Sequence, residues 1–159
     1  MRIDTINFVI VPAYKTKNMP QLSEMWEQVR VIIGENDIIN SVGFTYDHHW
    51  GIESACFLAQ KNDYYKGQLL IGICTCTCEG DDDILADIDS SEKYVSWKVF
   101  HQRNLELKES FVFEKKQYKK ALDEAISHIT KKPRDVHEWS WLLSYSKKEL
   151  YESIENEND

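Results

Sequence analysis

The chain has 159 residues, of which 42% are hydrophobic, 12% are aromatic and 29% are charged, and its formal net charge is −8. This length corresponds to about one ordinary domain, and the apolar content is sufficient for a buried core. Only 6 glycines and 3 prolines are present, which excludes collagen-like and linker-like chains. Because a negative protein repels phosphate backbones, nucleic acid is not expected as the main partner, and a basic partner is favoured.

The longest apolar runs are far shorter than the roughly 18 residues of a membrane helix, so we expect no membrane span. The run that begins at Phe8 is too short for the core of a signal peptide, so we expect a cytoplasmic protein. The four cysteines are too few for a disulfide framework at this length, and we expect reduced thiols.

The first half of the chain predicts a strand, a helix and then antiparallel sheet. Residues 3–13 are typical of an opening core strand that ends near Pro12. Apolar residues from Leu22 to Ile33 recur at helical spacing and predict an amphipathic helix over 21–33. Further strands are predicted at 42–46, 54–60 and 68–78.

The second half predicts a hairpin, a helix and a final strand with a short helix. The hairpin pairs residues 94–101 with 105–113, and the helix follows at 115–130. Alternation from Trp139 to Tyr145 predicts a strand, and a capping box at Ser146 begins a short helix before a frayed tail at 156–159. We therefore predict one α+β domain over residues 1–155, with a mainly antiparallel sheet, two amphipathic helices and a short C-terminal helix.

The most unusual local feature of the chain is the sequence CTCTC at residues 74–78. Strand alternation places Cys74, Cys76 and Cys78 on one face, where an extended backbone spreads the sulfurs instead of curling them around one ion. Cys56 and the pair His48 and His49 are the further candidate ligands, but buried apolar thiols are the commoner outcome. We expect no metal and no cofactor.

Catalytic motifs are absent from the sequence. His48 or His49 could act as a general base, but the sequence has no motif that places a Ser or Cys nucleophile in a strained turn. The chain also lacks the glycine-rich phosphate loops and the HExxH zinc motif. We therefore expect that the protein is not an enzyme.

Residues 79–92 contain seven acidic residues and no basic residue. Several of these acids fall at EF-hand ligand positions, but Ala86 stands where the calcium loop needs glycine. The two remaining interpretations are a solvated loop and an acidic docking surface. For the docking surface we predict acidic contacts and two aromatic anchors: Asp81, Asp82, Asp83, Asp87, Asp89, Glu92, Trp50 and Tyr65.

The C-terminal half resembles a known family over residues 94–155. The order of Trp97, Phe100, LELKESFVF, HEWSWLL and a short capped helix is similar to immunity proteins of contact-dependent growth inhibition systems. This resemblance implies a cytosolic protein that binds and neutralises a basic toxin domain, such as a nuclease. An acidic loop suits that role because a nuclease is basic where it grips phosphate.

A second resemblance covers residues 5–60. The stretch LSEMWEQVRVIIGENDIINSVGFTYD is similar to effector-binding domains related to the gyrase-inhibitory protein, in which a Trp-bearing helix leads into a strand. This alternative implies a small-molecule-binding module instead of a protein inhibitor.

Overall fold

The fold is built around a curled, mainly antiparallel sheet. The computed structural model describes residues 1–12, 27–43, 49–74, 83–102 and 106–129. Its strands are β1 (Ile6–Pro12), β2 (Glu27–Ile33), β3 (Asn36–Asp37), β4 (His49–Glu53), β5 (Gly67–Cys74), β6 (Ile84–Ser90), β7 (Tyr94–His101) and β8 (Glu106–Glu114), and its helices are α1 (Ile38–Ser41), α2 (Ser54–Ala59) and α3 (Lys115–His128). Seven strands follow the order β1-β2-β4-β5-β6-β7-β8, and β3 pairs with β2. The predicted α+β class is confirmed.

The helix predicted over 21–33 is wrong for its described part, because residues 27–33 form β2. Val29, Val31 and Ile33 are buried at alternate positions, as expected for a strand with one face on the core. Seven residues are too few to separate a period of 3.6 from a period of 2, and the β-branched side chains favour the strand. Pairing with β1 and β4 on its two sides then fixes the strand within the sheet.

The strand predicted over 54–60 is also wrong, since Ser54–Ala59 form helix α2. In contrast, the opening strand, the predicted hairpin and the predicted second helix are present as β1, β7 with β8, and α3. Of the strand predicted over 42–46, Val42 and Gly43 lie in a turn and residues 44–46 are outside the described ranges.

Some predicted elements lie outside the described residues. These are residues 21–26 of the first helix, residues 75–78 of the strand predicted over 68–78, the strand over 139–145, the short C-terminal helix and the tail at 156–159. Within the described ranges, no helix has both the length and the apolar character needed to cross a bilayer.

The curled sheet brings the start of the chain against β8. The Asp4 amide donates to the Val112 carbonyl at 2.8 Å, and Asp4 forms a single parallel bridge with Phe113. Two residues later, Ile6 is hydrogen-bonded by the side chain of Gln117 in α3. Gln117 Oε1 accepts from the Ile6 amide at 3.1 Å, and Gln117 Nε2 donates to the Ile6 carbonyl at 2.6 Å. A helix side chain thus supplies to β1 the hydrogen bonds that a neighbouring strand would supply.

Helix α3 packs on the sheet through the aromatic ring of Tyr118. Tyr118 is fully buried and its ring lies against Phe8, Trp97 and Phe113 at centroid distances of 5.9–6.2 Å. Its hydroxyl accepts from Trp97 Nε1 at 3.3 Å and donates to the Tyr64 carbonyl at 2.6 Å. Burial raises the pKa of the Tyr118 phenol well above its ordinary range, so the hydroxyl stays protonated.

Candidate functional site

The acidic segment 79–92 is mostly a strand in the part that the structure describes. Residues 84–90 form β6, which lies between β5 and β7 in the sheet. The interpretation of residues 79–92 as a solvated loop is therefore wrong for 84–90. Alternation explains the difference, because Ile84, Ala86 and Ile88 are buried while the acids occupy intervening positions.

The acidic residues predicted as contacts differ in how far they are exposed to solvent. Asp83 is buried with 2% exposure, Asp87 is half-buried, and Asp89 and Glu92 are exposed. Asp81 and Asp82 lie outside the described residues. Among the described acidic members of the predicted surface, Asp89 and Glu92 are therefore the two exposed residues.

Asp87 lies directly opposite Lys98 in the antiparallel register of β6 and β7. Burial raises the pKa of the Asp87 carboxyl, the nearby Lys98 opposes that rise, and the Asp89 charge adds to it. The outer face of β6 is consequently less acidic than the sequence alone suggests.

The two predicted aromatic anchors are placed differently. Tyr65 is half-buried before β5, where its ring meets Tyr118 edge-on at 5.5 Å and Lys115 Nζ lies 5.6 Å from its centroid. It is therefore partly committed to packing against α3. Trp50 is a residue of β4 whose side chain is outside the described part of the structure.

The cysteine and histidine candidates do not assemble into a metal site within the described residues. Cys56 is a buried thiol on α2, and His49 is buried at the start of β4. The described residues contain no group of three or more metal-ligating side chains close enough to hold an ion. Cys76, Cys78, His48 and the side chain of Cys74 lie outside the described part of the chain.

A groove of about 890 Å³ lies on the side of the sheet where β1 approaches β8. We call it the seam groove. Its lining comes from the chain start, β1, the β2–β3 hairpin, α1 and β8: Arg2, Asp4, Val9, Val11, Arg30, Ile32, Ile33, Gly34, Glu35, Asn36, Asp37, Asn40, Ser41, Glu109 and Phe111.

The charged groups of the seam groove include four carboxylates and two guanidinium groups. Arg30 Nε contacts Asp37 Oδ2 at 2.8 Å, and Asp37 Oδ1 also accepts from the Ile39 amide at 3.1 Å. Arg2 lies between Asp4 at 3.1 Å and Glu109 at 3.7 Å. Both cations are thus held by acids, and the lining keeps a net negative charge.

Two acids in the seam groove keep hydrogen-bonding capacity. The Oδ2 atom of Asp4 is buried and accepts no hydrogen bond from the described residues. Glu35 follows Gly34 in the β2–β3 turn and is exposed. An approaching donor therefore reaches the Glu35 carboxylate, whereas Asp4 Oδ2 lies below the surface.

The same groove has an apolar component. Val9 and Val11 line it from the face of β1 opposite the core, and Val9 is 41% exposed. Ile32 of β2 lies opposite Asn7 in the register and is half-buried. An apolar lining with carboxylates around it is a typical arrangement for contact with another protein.

Sequence reasoning missed the seam groove because no local motif marks it. Its charged residues come from positions 2–4, 30–37 and 109, and only the closure of the sheet unites them. No family model matches the chain, and neither a curated protein nor a solved structure matches it. The assignment of function therefore rests on the charge and geometry of the described residues.

Proposed function

We propose that this protein binds and neutralises a basic protein domain of the toxin class, and that the seam groove is the main docking surface. The observation that carries the proposal is the excess of carboxylates around an apolar lining, in a chain with a net charge of −8. Charge complementarity speeds encounter with a basic partner and disfavours acidic ones.

The groove suits a lysine or arginine side chain of such a partner. The aliphatic stem of the side chain packs on Val9 and Ile32, while its charged head reaches Glu35 or Glu109. Arg2 and Arg30 do not oppose this contact strongly because each is already paired with an acid.

The acidic segment supplies a second, more peripheral contact. Asp89 and Glu92 are exposed at the end of β6 and in the turn to β7. Exposed charges at the rim of an interface mainly affect the association rate and its salt dependence. We therefore assign steering to these two acids and the tighter contact to the seam groove.

The test compares two double variants with the same charge change. Glu35→Gln with Glu109→Gln alters the seam groove, and Asp89→Asn with Glu92→Gln alters the acidic turn. The partner to try first is a basic terminal domain of a large secreted protein encoded directly upstream of this chain. We expect the groove variant to raise Kd by about tenfold or more, and the turn variant by roughly two- to threefold, mainly through the association rate.

Glu114→Gln with Asp123→Asn is the matched control, because both acids are exposed and lie outside the seam groove. Equal losses in all three double variants would indicate net charge alone and would remove the groove from the mechanism. Absence of binding and of protection against the adjacent toxin would refute the proposed function.

A small-molecule effector site is the alternative function, and the size of the groove favours it. Small-molecule pockets commonly measure about 300–1,000 Å³, and the seam groove falls within that range. The helix that supported the related family resemblance is a strand over residues 27–33, so the alternative rests on volume. Saturable binding of a small polyamine such as spermidine, lost in the groove variant and accompanied by no protein partner, would favour this alternative.

A further inference from the structure

The two arginines of the seam groove are held to different degrees. Arg30 Nε contacts Asp37 Oδ2 at 2.8 Å, its side chain is only 22% exposed, and Asp37 also caps α1 through the Ile39 amide. The Arg2 side chain is 67% exposed, and its Nη2 lies 3.7 Å from Glu109 Oε1, beyond hydrogen-bond distance. Exposed ion pairs of this kind contribute little to stability. Arg30 is therefore part of the folded scaffold, whereas Arg2 can leave its position at little cost.

Arg2 nevertheless occupies a site made by two acids, which we call the guanidinium site. Its Nε lies 3.1 Å from Asp4 Oδ1, so the guanidinium group is shared between Asp4 and Glu109 of β8. Asp4 uses only one carboxylate oxygen in this contact, and its Oδ2 accepts no hydrogen bond from the described residues. The two acids are thus arranged around a guanidinium group that neutralises them incompletely.

We propose that an arginine of the partner displaces Arg2 from the guanidinium site when the seam groove is occupied. This inference rests on the proposed docking role of the seam groove and names the side chain of the partner that it selects. Because Arg2 is paired, it repels an incoming cation only weakly, but it competes for the same two carboxylates. The exchange favours the partner, since the partner's arginine gains further contacts in the groove while the released Arg2 returns to water.

The site favours arginine over lysine in the partner. Asp4 and Glu109 contact Arg2 through different nitrogen atoms, Nε and Nη2. A guanidinium group has five N–H donors in a planar fork and can contact two carboxylates at once, whereas an ammonium group acts as a point charge. A lysine therefore replaces Arg2 less completely, and competition from Arg2 raises the selectivity of the groove.

The first experiment follows the Nε–H groups of Arg2 and Arg30 by NMR in the full chain. The probe is an acetylated and amidated pentapeptide with a central arginine, flanked on each side by valine and then alanine. Its binding should shift the Arg2 signal and speed exchange of that proton with water by about threefold or more, while the Arg30 signal stays in place. An unchanged Arg2 signal at saturation of the Glu109 amide shift would overturn the displacement.

Removal of Arg2 should strengthen binding of the arginine peptide. Arg2→Gln should lower Kd by about three- to tenfold because the competing guanidinium group is gone, and Arg2→Lys should lower it less. Lys93→Gln is the matched control, since Lys93 is exposed, lies outside the seam groove and carries the same charge. An unchanged or higher Kd in Arg2→Gln, or an equal gain in Lys93→Gln, would overturn the proposal.

Two control peptides test the chemistry of the incoming group. Citrulline in place of arginine keeps the shape of the side chain but removes its charge, and this peptide should bind about tenfold more weakly or worse. The lysine peptide should bind about threefold more weakly than the arginine peptide. Equal binding of the citrulline peptide would refute the guanidinium site, and equal binding of the lysine peptide would refute the selection of arginine.

Further variants separate this inference from the proposed function. In the Arg2→Gln background, Glu109→Gln should raise Kd of the arginine peptide by about threefold or more, whereas the exposed Glu114→Gln, outside the groove, should leave it unchanged. Binding of the basic partner domain that is lost in Glu35→Gln with Glu109→Gln, but is no stronger in Arg2→Gln, would overturn the displacement and retain the docking role. Binding of that domain unaffected by the groove double variant would instead refute the docking role.

Discussion

Replacement of Gln117 by methionine tests whether a helix side chain completes the edge of β1. Gln117→Met preserves side-chain length and helix propensity but removes both hydrogen bonds to Ile6. Ile6 itself is fully buried. Each lost bond costs about 1 kcal/mol, and each buried backbone group left without a partner costs about 1–3 kcal/mol. Because Gln117 is half-buried, we expect the lower part of the range for two such groups, a fall in the free energy of unfolding of about 2–4 kcal/mol.

Urea unfolding at equilibrium measures this loss, and the slope of the transition should stay constant. Lys116→Met is the matched control, because Lys116 is exposed on the preceding position of α3. We expect that control to change stability by no more than about 0.5 kcal/mol. A loss in Gln117→Met as small as in the control, with unchanged hydrogen exchange at Ile6, would refute the argument.

Two further predictions concern the buried hydroxyl and the half-buried carboxyl. Tyr118→Phe should lower the free energy of unfolding by about 1–3 kcal/mol, because it leaves the Tyr64 carbonyl and the Trp97 Nε1 donor without their partner, and Tyr65→Phe should change it less in the same unfolding assay. Burial is the main cause that raises the pKa of Asp87, so the folded state holds this proton more tightly than the unfolded state, and its contribution to stability is lost as pH rises through the upper part of the carboxyl range. Asp87→Asn should therefore stabilise the protein at pH 7. This gain should shrink as pH falls through the raised carboxyl pKa and should be gone below the ordinary aspartate pKa; a gain independent of pH in thermal unfolding would contradict the assignment.

The sequence pattern alone predicted an element correctly where one hydrophobic period, helical or strand-like, clearly dominated. The hairpin of β7 and β8 follows from alternation around Trp97 and Phe111, and α3 follows from an apolar stripe that spans more than three helical turns. These elements carry enough repeats for the period to be read from the chain alone. The antiparallel α+β class follows in turn from the order of such elements.

Short apolar segments required the tertiary structure. Residues 27–33 satisfy both a helical and a strand pattern, and β1 and β4 decide for the strand because they satisfy its backbone groups on both sides. Residues 54–60 show the opposite outcome, since α2 forms where the strand β4 ends at Glu53. In each case the neighbours outweigh the modest local propensities.

The acidic composition was evident in the sequence, but its distribution was not. Asp83 is buried and Asp87 faces Lys98, because membership in β6 fixes the direction of each side chain. The seam groove joins Asp4, Glu35 and Glu109 only because the curled sheet brings the first residues of the chain to β8. The sequence by itself thus determined the overall charge and the type of those elements whose hydrophobic period is clear. Closure of the sheet decided which charged residues lie close together, because these contacts join residues more than a hundred positions apart, such as Arg2 and Glu109.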